Sequence, residues 1–173
     1  MERKSLSVFL VMLIFVFGFS ISGAHAMDHP VAALSGLKGI YVNIAPIDSY
    51  LESEGVTANR LRNEAEGRLK KDGINILNKD DYDRYSRTQT YQSARLDISV
   101  TSEVGGSETH RIYVVSVQII QEARLLRKPI IKISAPTWEA LKIAVNPGEG
   151  SLIMQIQEAL DLFIQDFRSA NSR

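Results

Sequence analysis

The stretch TANRLRNEAEGRLKKDGINIL, residues 57–77, predicts a helix followed closely by a strand. Thr57 is suited to cap the helix, because its hydroxyl can accept a backbone N–H of the first turn. Gly73 can adopt the left-handed conformation that ends a helix, and the short apolar run 74–77 then predicts a strand. The apolar residues of the helix recur at helical spacing, at Ala58, Leu61, Ala65 and Leu69.

The residues before this helix predict another strand. In GIYVNI, residues 39–44, Ile40, Val42 and Ile44 share one face, and Pro46 follows. Residues 49–55 are predicted to be a polar loop. A strand, a helix and a strand joined by short connections imply a right-handed crossover and parallel pairing of the two strands.

After a predicted loop at residues 78–93, with Asn78 capping one helical turn, the chain resumes a strand pattern. Apolar residues at 96, 98 and 100 alternate with polar ones, which is typical of a strand with one face in water. Gly105 and Gly106 lie in a polar stretch and predict a turn that leads into the next strand.

Two long strands are predicted next. Residues 111–127 carry apolar side chains on both faces, which indicates a central strand with both faces partly covered. After a turn at 127–129, residues 130–145 form a further extended stretch. Pro136 interrupts it, and because proline has no N–H to donate, it predicts a sheet edge or a bulge.

The C-terminal segment predicts a long amphipathic helix. Residues 146–150, NPGEG, break the preceding strand, and Ser151 is suited to cap the helix. The helix carries an apolar stripe made of Leu152, Ile153, Ile156, Ala159, Leu160, Phe163, Ile164 and Phe167.

These elements predict an α+β fold for a single domain, residues 37–173. The order is β-α-β-β-β-β-α, and we expect a mixed, mostly antiparallel sheet with two helices packed on one face.

The N terminus has the layout of a secretory signal peptide. A charged start precedes the apolar run 8–19, and Ala24-His25-Ala26 is a small-x-small tripeptide. We expect cleavage after Ala26, a tether at 27–36, and a periplasmic destination with no stable membrane span after cleavage. The alternative is an uncleaved anchor helix, although the apolar run is short for a span of about 20 residues.

The composition limits the classes of partner and site. The chain has no cysteine, which excludes thiol catalysis, disulfides and a lipoprotein signal. Without residues 1–26, 18 of 20 basic and 19 of 20 acidic residues remain, a net charge of −1. We therefore expect no nucleic-acid partner.

No pattern predicts a catalytic residue, a cofactor or a metal site. His25 belongs to the leader, while His29 and His110 lack predicted partners for catalysis or metal binding. The acidic cluster Asp80, Asp81 and Asp83 lacks the glycine turn and the following glutamate of a calcium loop. We interpret it as a solvated loop with a helix-start signal.

One group of side chains is a candidate interaction surface, because arginine and aromatic residues are enriched at protein interfaces. Such a surface can contact a polyanion, a glycan or a partner protein. The alternative is structural: the tyrosines pack on the sheet edge, and the single tryptophan is a core or edge plug whose N–H bonds to the backbone. The group consists of Tyr82, Arg84, Tyr85, Arg87, Tyr91 and Trp138.

The run TANRLRNEAEGRLKKDGINILNKDDYDRY resembles small periplasmic domains, namely the N-terminal domain of the Tol-system translocation protein and the curli-secretion lipoprotein group. The shared pattern is a helix, a glycine, a short strand and a polar loop. The Asp-Arg ending of that group is absent after Leu77, and so is the lipoprotein cysteine. The extended hairpin and APTWEA resemble an uncharacterised family of small exported bacterial proteins. Neither resemblance implies catalytic residues.

We therefore expect a non-catalytic periplasmic binding or envelope-assembly module that acts through protein–protein contacts. Its partner is an envelope protein or a second copy of the chain. The alternative is a small-ligand carrier or an enzyme whose site assembles only in three dimensions.

Overall fold

A computed structural model describes residues 31–88, 92–104, 111–145 and 149–172. The leader, its cleavage site and the first part of the tether lie outside these ranges, as do both glycines of the predicted turn. After a 3-10 helix at Val31–Leu34, the elements are β1 (Gly39–Ile44), α1 (Ser49–Ser53), α2 (Ala58–Lys71), α3 (Lys79–Thr88), β2 (Ser93–Val104), β3 (Arg111–Leu125), β4 (Lys128–Val145) and α4 (Glu149–Asn171).

The four strands form one sheet in the order β1-β2-β3-β4. β1 pairs with β2 in parallel, from Gly39 opposite Ser93 to Ile44 opposite Ile98. The β2–β3 and β3–β4 pairs are antiparallel. The prediction of a mixed, mostly antiparallel sheet is confirmed.

Helices α2 and α4 pack on one face of the sheet, which confirms the predicted α+β arrangement. Strand residues that alternate toward these helices are buried, for example Ile40 and Val42 in β1. They meet the apolar stripes of the two helices, including Leu61 of α2 and Phe163 of α4. We call the opposite side of the sheet the open face.

The predicted strand at 74–77 is reduced to a single parallel bridge between Ile40 and Ile76. Two hydrogen bonds hold it, from Ile40 N–H to the Asn75 carbonyl (2.9 Å) and from Leu77 N–H to the Ile40 carbonyl (2.8 Å). Pairing stops there because Asn78 starts the next helix: its side-chain oxygen accepts the Asp81 N–H at 2.8 Å.

The prediction of a loop at 78–93 is wrong for its first half, which forms the ten-residue helix α3. Ion pairs at helical spacing support it, from Lys79 to Asp83 (2.6 Å) and from Arg84 to Asp81. The predicted loop at 49–55 likewise contains the short helix α1, capped by Asp48, which accepts the Leu51 N–H at 2.8 Å.

The folded body extends further toward the N terminus than predicted. Residues 31–36, assigned to the tether, include the 3-10 helix, and Leu34 is fully buried. The side chain of Asn171, near the end of α4, donates to the Leu34 carbonyl at 3.0 Å and accepts the Gly36 N–H at 2.8 Å. These residues are therefore part of the domain.

Two boundaries also differ from the prediction. The turn between the long strands is formed by residues 126–127, not 127–129. Helix α4 begins at Glu149, so Ser151 lies in its first turn and does not cap it.

The prediction for Pro136 is confirmed in both respects. β4 is an edge strand, and the register shifts where Ile119 faces Trp138 but Ile120 faces Pro136. Thr137 is thus the extra residue of a β-bulge, where a missing proline N–H costs the ladder little.

Candidate functional site

Helix α3 carries four residues of the predicted interaction surface and lies beside the open face of β1. Tyr82 stacks on Tyr41, with ring centroids 5.4 Å apart and an interplanar angle of 23°. Burial at this contact raises the pKa of Tyr82 above its ordinary value. Stacking of this kind attaches the helix to the sheet, so Tyr82 has a structural role.

Of the other three predicted residues on α3, Arg84 and Arg87 are exposed and Tyr85 is half-buried. The guanidinium of Arg84 lies 5.1 Å from the centre of the Tyr85 ring and also pairs with Asp81. Arg87 is exposed in the last turn. Tyr91 lies outside the described residues.

The strands next to α3 carry a polar network on the open face. Arg95 donates two hydrogen bonds to Asp97, at 2.6 and 2.7 Å, and Asn43 donates one at 3.0 Å. The hydrogen bond to Asp97 raises the pKa of Arg95. Because these groups satisfy one another, the network is well suited to hold β1 and β2 in register.

A cleft of about 530 Å³ lies between α3 and the β3–β4 hairpin, at residues 120–122 and 132–134 of the two strands. Tyr82 and Tyr85 line it from the helix, and Glu122 and Lys132 line it from the hairpin. Lys132 lies 3.1 Å from Glu122 across the two strands. The cleft can hold a small polar molecule against two aromatic rings.

Trp138 does not belong to the interaction surface. Its side chain is 1% exposed and packs edge-to-face on Phe163, with ring centroids 5.2 Å apart. The indole N–H donates to the Asp166 carboxylate at 2.8 Å. The structural alternative is correct for this residue, although its partner is a side chain of α4.

The remaining candidates have structural roles or lie outside the described residues. Asp80 and Asp81 lie in the first turn of α3, in agreement with the helix-start interpretation, and Asp81 and Asp83 pair with Arg84 and Lys79. Within the described ranges no cluster of acidic or histidine side chains is arranged to hold a metal ion. His29 and His110 lie outside those ranges.

An exposed apolar surface occupies the open face at the far end of β3 and β4. Three of its residues are on β4: Leu141, Ile143 and Val145 are 57%, 70% and 60% exposed. They pair directly with Ser116, Val114 and Ile112 of β3. We call Ile112, Val114, Leu141, Ile143 and Val145 together the apolar surface.

The apolar surface adjoins an unpaired strand edge. At the other edge of the sheet, the bridge at Ile76 covers part of β1. No described strand pairs with the outer side of β4. Its first half carries Pro129, Pro136 and the bulge, which hinder pairing with another strand, whereas residues 138–145 contain no proline.

The apolar surface is partly foreshadowed in the sequence, by a second row of apolar residues along β3, but the expected structure was different. In the sequence, Ile112, Val114 and Ile120 form a second apolar face of β3 and predict a covered central strand. Ile120 is indeed buried, beside the cleft. Ile112 is exposed, because α3 covers only the other end of the open face.

No protein-family model and no curated protein matches this chain. Among solved structures, it is similar to PelC dodecamers from Paraburkholderia phytofirmans. One, a single-residue PelC variant, is 15% identical, with 76% of this chain and 88% of that chain covered and a TM-score of 0.43. Another is 14% identical, with coverage of 80% and 91% and a TM-score of 0.44. Likeness at this level carries no information about function.

Proposed function

We propose that this chain is an exported, non-catalytic binding or assembly module of the bacterial periplasm that acts through protein–protein contacts. The observation that carries the proposal is the apolar surface beside the unpaired half of β4, residues 138–145. A partner strand added there would pair with the free backbone groups of β4 and cover the neighbouring apolar side chains.

The apolar surface is too contiguous to be ordinary scattered surface hydrophobicity. Five apolar residues on two adjacent strands face the same side, and three of them are more than half exposed. Contiguous exposed apolar groups of this kind mark interaction sites on soluble proteins. Lys142, between Leu141 and Ile143, points to the helix-covered face and pairs with Glu158 of α4 at 3.2 Å. It therefore does not interrupt the apolar surface.

The partner is a second copy of the chain or another envelope protein. A second copy is geometrically suitable, because a two-fold axis at β4 brings identical edges together antiparallel and joins both apolar surfaces. Such a pairing would extend two four-stranded sheets into one.

The test compares Ile143→Glu with Leu162→Glu in protein produced from the full-length sequence and purified from the envelope or periplasmic fraction. Leu162 is an exposed apolar residue of α4, remote from the apolar surface. Sedimentation analysis should show an assembly that Ile143→Glu dissociates and Leu162→Glu preserves. Mass spectrometry of the N terminus tests the predicted cleavage after Ala26 on the same sample.

If the partner is another protein, a photo-crosslinker at residue 143 should capture it in cells, while one at residue 162 should not. The purified partner should then bind the wild-type chain and not Ile143→Glu. A strictly monomeric chain with the same crosslinks at both positions would refute the proposal.

The cleft supports a second candidate, a small-ligand carrier. Its two tyrosines face a lysine and a glutamate across a space of about 530 Å³. Stabilisation of the chain by a small polar ligand, lost in Tyr85→Ala and retained in Ile143→Glu, would favour this function over the first.

A further inference from the structure

We infer that the end of the β3–β4 hairpin is a membrane-docking arm that binds the surface of an anionic lipid bilayer. This inference is independent of the protein–protein contact proposed above, which concerns the opposite end of the same strands. It rests on the arm's isolation, its exposed apolar residues, its charge and its position in the domain.

The arm is the part of the hairpin that extends beyond β2. The pairing of β2 with β3 begins at Arg95 opposite Ile120, and from Gln121 to Leu125 the described structure pairs β3 with β4 alone. We define the arm as residues 121–136. The base of the arm lines the cleft and contacts the domain, whereas its tip, residues 123–131, has no third described strand beside it. A two-stranded ribbon has little stability in water by itself, so we expect the tip to contact another surface.

The tip of the arm exposes large apolar side chains. Leu126 is 99% exposed and Ile130 is 90% exposed. Ile131 and Ile133 are 39% and 43% exposed, so four such side chains lie within eight positions. This density differs from isolated surface residues, and it resembles the apolar part of an interfacial anchor.

The two faces of the arm differ in chemistry. Arg124 lies opposite Lys132 in the ladder, whereas the next pair is Ala123 opposite Ile133. Directly opposed residues share a face and successive pairs alternate, so at this level Arg124 and Lys132 lie on one side of the ribbon and Ala123 and Ile133 lie on the other. An amphipathic ribbon of this kind is suited to lie at the boundary between water and acyl chains.

The charge of the arm identifies the surface. It contains four basic residues and one acidic residue, hence a net charge of +3, although the whole sequence has a net charge of zero. Glu122 pairs with Lys132 and Arg124, so no acidic residue of the arm pairs with Arg127 or Lys128 at the turn in the described structure. Basic side chains next to exposed apolar ones favour anionic lipid over a neutral surface.

The arm lies at the end of the domain where the chain enters. The described structure begins at Val31. The side chain of Gln121, at the base of the arm, donates to the Ala33 carbonyl at 2.9 Å. The described part of the chain therefore begins next to the base of the arm.

The test places a fluorophore on the tip, which is simple because the chain has no cysteine. Leu126→Cys and Glu103→Cys are labelled with an environment-sensitive dye in protein produced from the full-length sequence. Glu103 is exposed near the other end of β2, where it pairs with Ile112. Vesicles of phosphatidylethanolamine with phosphatidylglycerol should shift the emission at 126 to the blue and leave 103 unchanged. Phosphatidylcholine vesicles should have no effect at either position.

Charge variants test the electrostatic contribution. Lys128→Glu should weaken vesicle binding at least about fivefold, since one basic residue near an anionic surface contributes roughly that factor. Lys71→Glu makes the same change of charge on α2 and should bind within about twofold of the wild type. Ile130→Ser should reduce both binding and the blue shift at 126. Circular dichroism checks that each variant is folded.

Equal emission at position 126 with and without anionic vesicles would overturn the inference, as would equal effects of Lys128→Glu and Lys71→Glu. An Ile130→Ser variant that changes the oligomeric mass but binds vesicles normally would assign the arm to a protein interface instead, which also overturns the lipid assignment.

Discussion

Replacing Phe163 with alanine tests whether α4 seals the core against the sheet. Its side chain is fully buried, and its ring centroid lies 5.2 Å from that of Trp138 and 5.8 Å from that of Phe167. Truncating a buried phenylalanine costs about 3–5 kcal/mol. Within that total, the edge-to-face contact with Trp138 contributes about 0.5–1.5 kcal/mol.

This loss is large for a domain of this size. Small domains unfold with about 5–15 kcal/mol, so Phe163→Ala removes a substantial fraction of the stability. At about 4 °C per kcal/mol, the melting temperature should fall by about 12–20 °C. Phe163→Asp places a carboxylate at the same position and should leave the domain unfolded.

The assay is urea unfolding followed by the fluorescence of Trp138, the only tryptophan in the chain. Because Trp138 contacts Phe163, the signal reports on the region that is changed. Leu162→Ala, at the neighbouring exposed position, is the control and should cost less than about 1 kcal/mol. Equal losses for Phe163→Ala and Leu162→Ala would show that α4 is not packed as described.

Two further predictions concern single carboxylates. The hydrogen bond from the Leu51 N–H is the main cause that lowers the pKa of Asp48. The carboxylate therefore adds stability above its unfolded pKa of about 3.8, and this is lost as the pH falls through the lower folded pKa. The difference in melting temperature between wild type and Asp48→Asn should be constant from about pH 7 to 5 and shrink between about pH 4 and 2. A difference that grows in acid would contradict the assigned hydrogen bond. Asp166→Ala should lower the free energy of unfolding by about 1–3 kcal/mol, because the indole N–H of Trp138 loses its carboxylate partner. The loss should be much smaller in a Trp138→Phe background, and circular dichroism measures both. Equal costs in the two backgrounds would show that this hydrogen bond does not stabilise the domain.

The candidate interaction residues show where sequence reasoning reached its limit. The run from Tyr82 to Arg87 predicts an interaction surface, yet its pattern does not reveal that Tyr82 stacks on Tyr41 or that Tyr85 lines a cleft. Both contacts join residues that are distant in sequence. Trp138 could be assigned to the core or to a surface, and only its position under Phe163 decides between them.

The α2 helix, the alternating strands and the apolar stripe of α4 follow from the sequence itself, because helix and strand periods of 3.6 and 2 are local properties. Pro136 likewise indicated an edge or a bulge, since its missing N–H is a property of the residue. The strand order, the uncovered apolar surface around Ile143 and the protruding arm at Leu126 depend on which elements lie next to each other. Whether an apolar side chain is buried depends on whether another element covers it. In this fold α2 and α4 both cover the same face. β2 pairs with β3 only as far as Ile120, so the rest of the β3–β4 hairpin protrudes beyond β2.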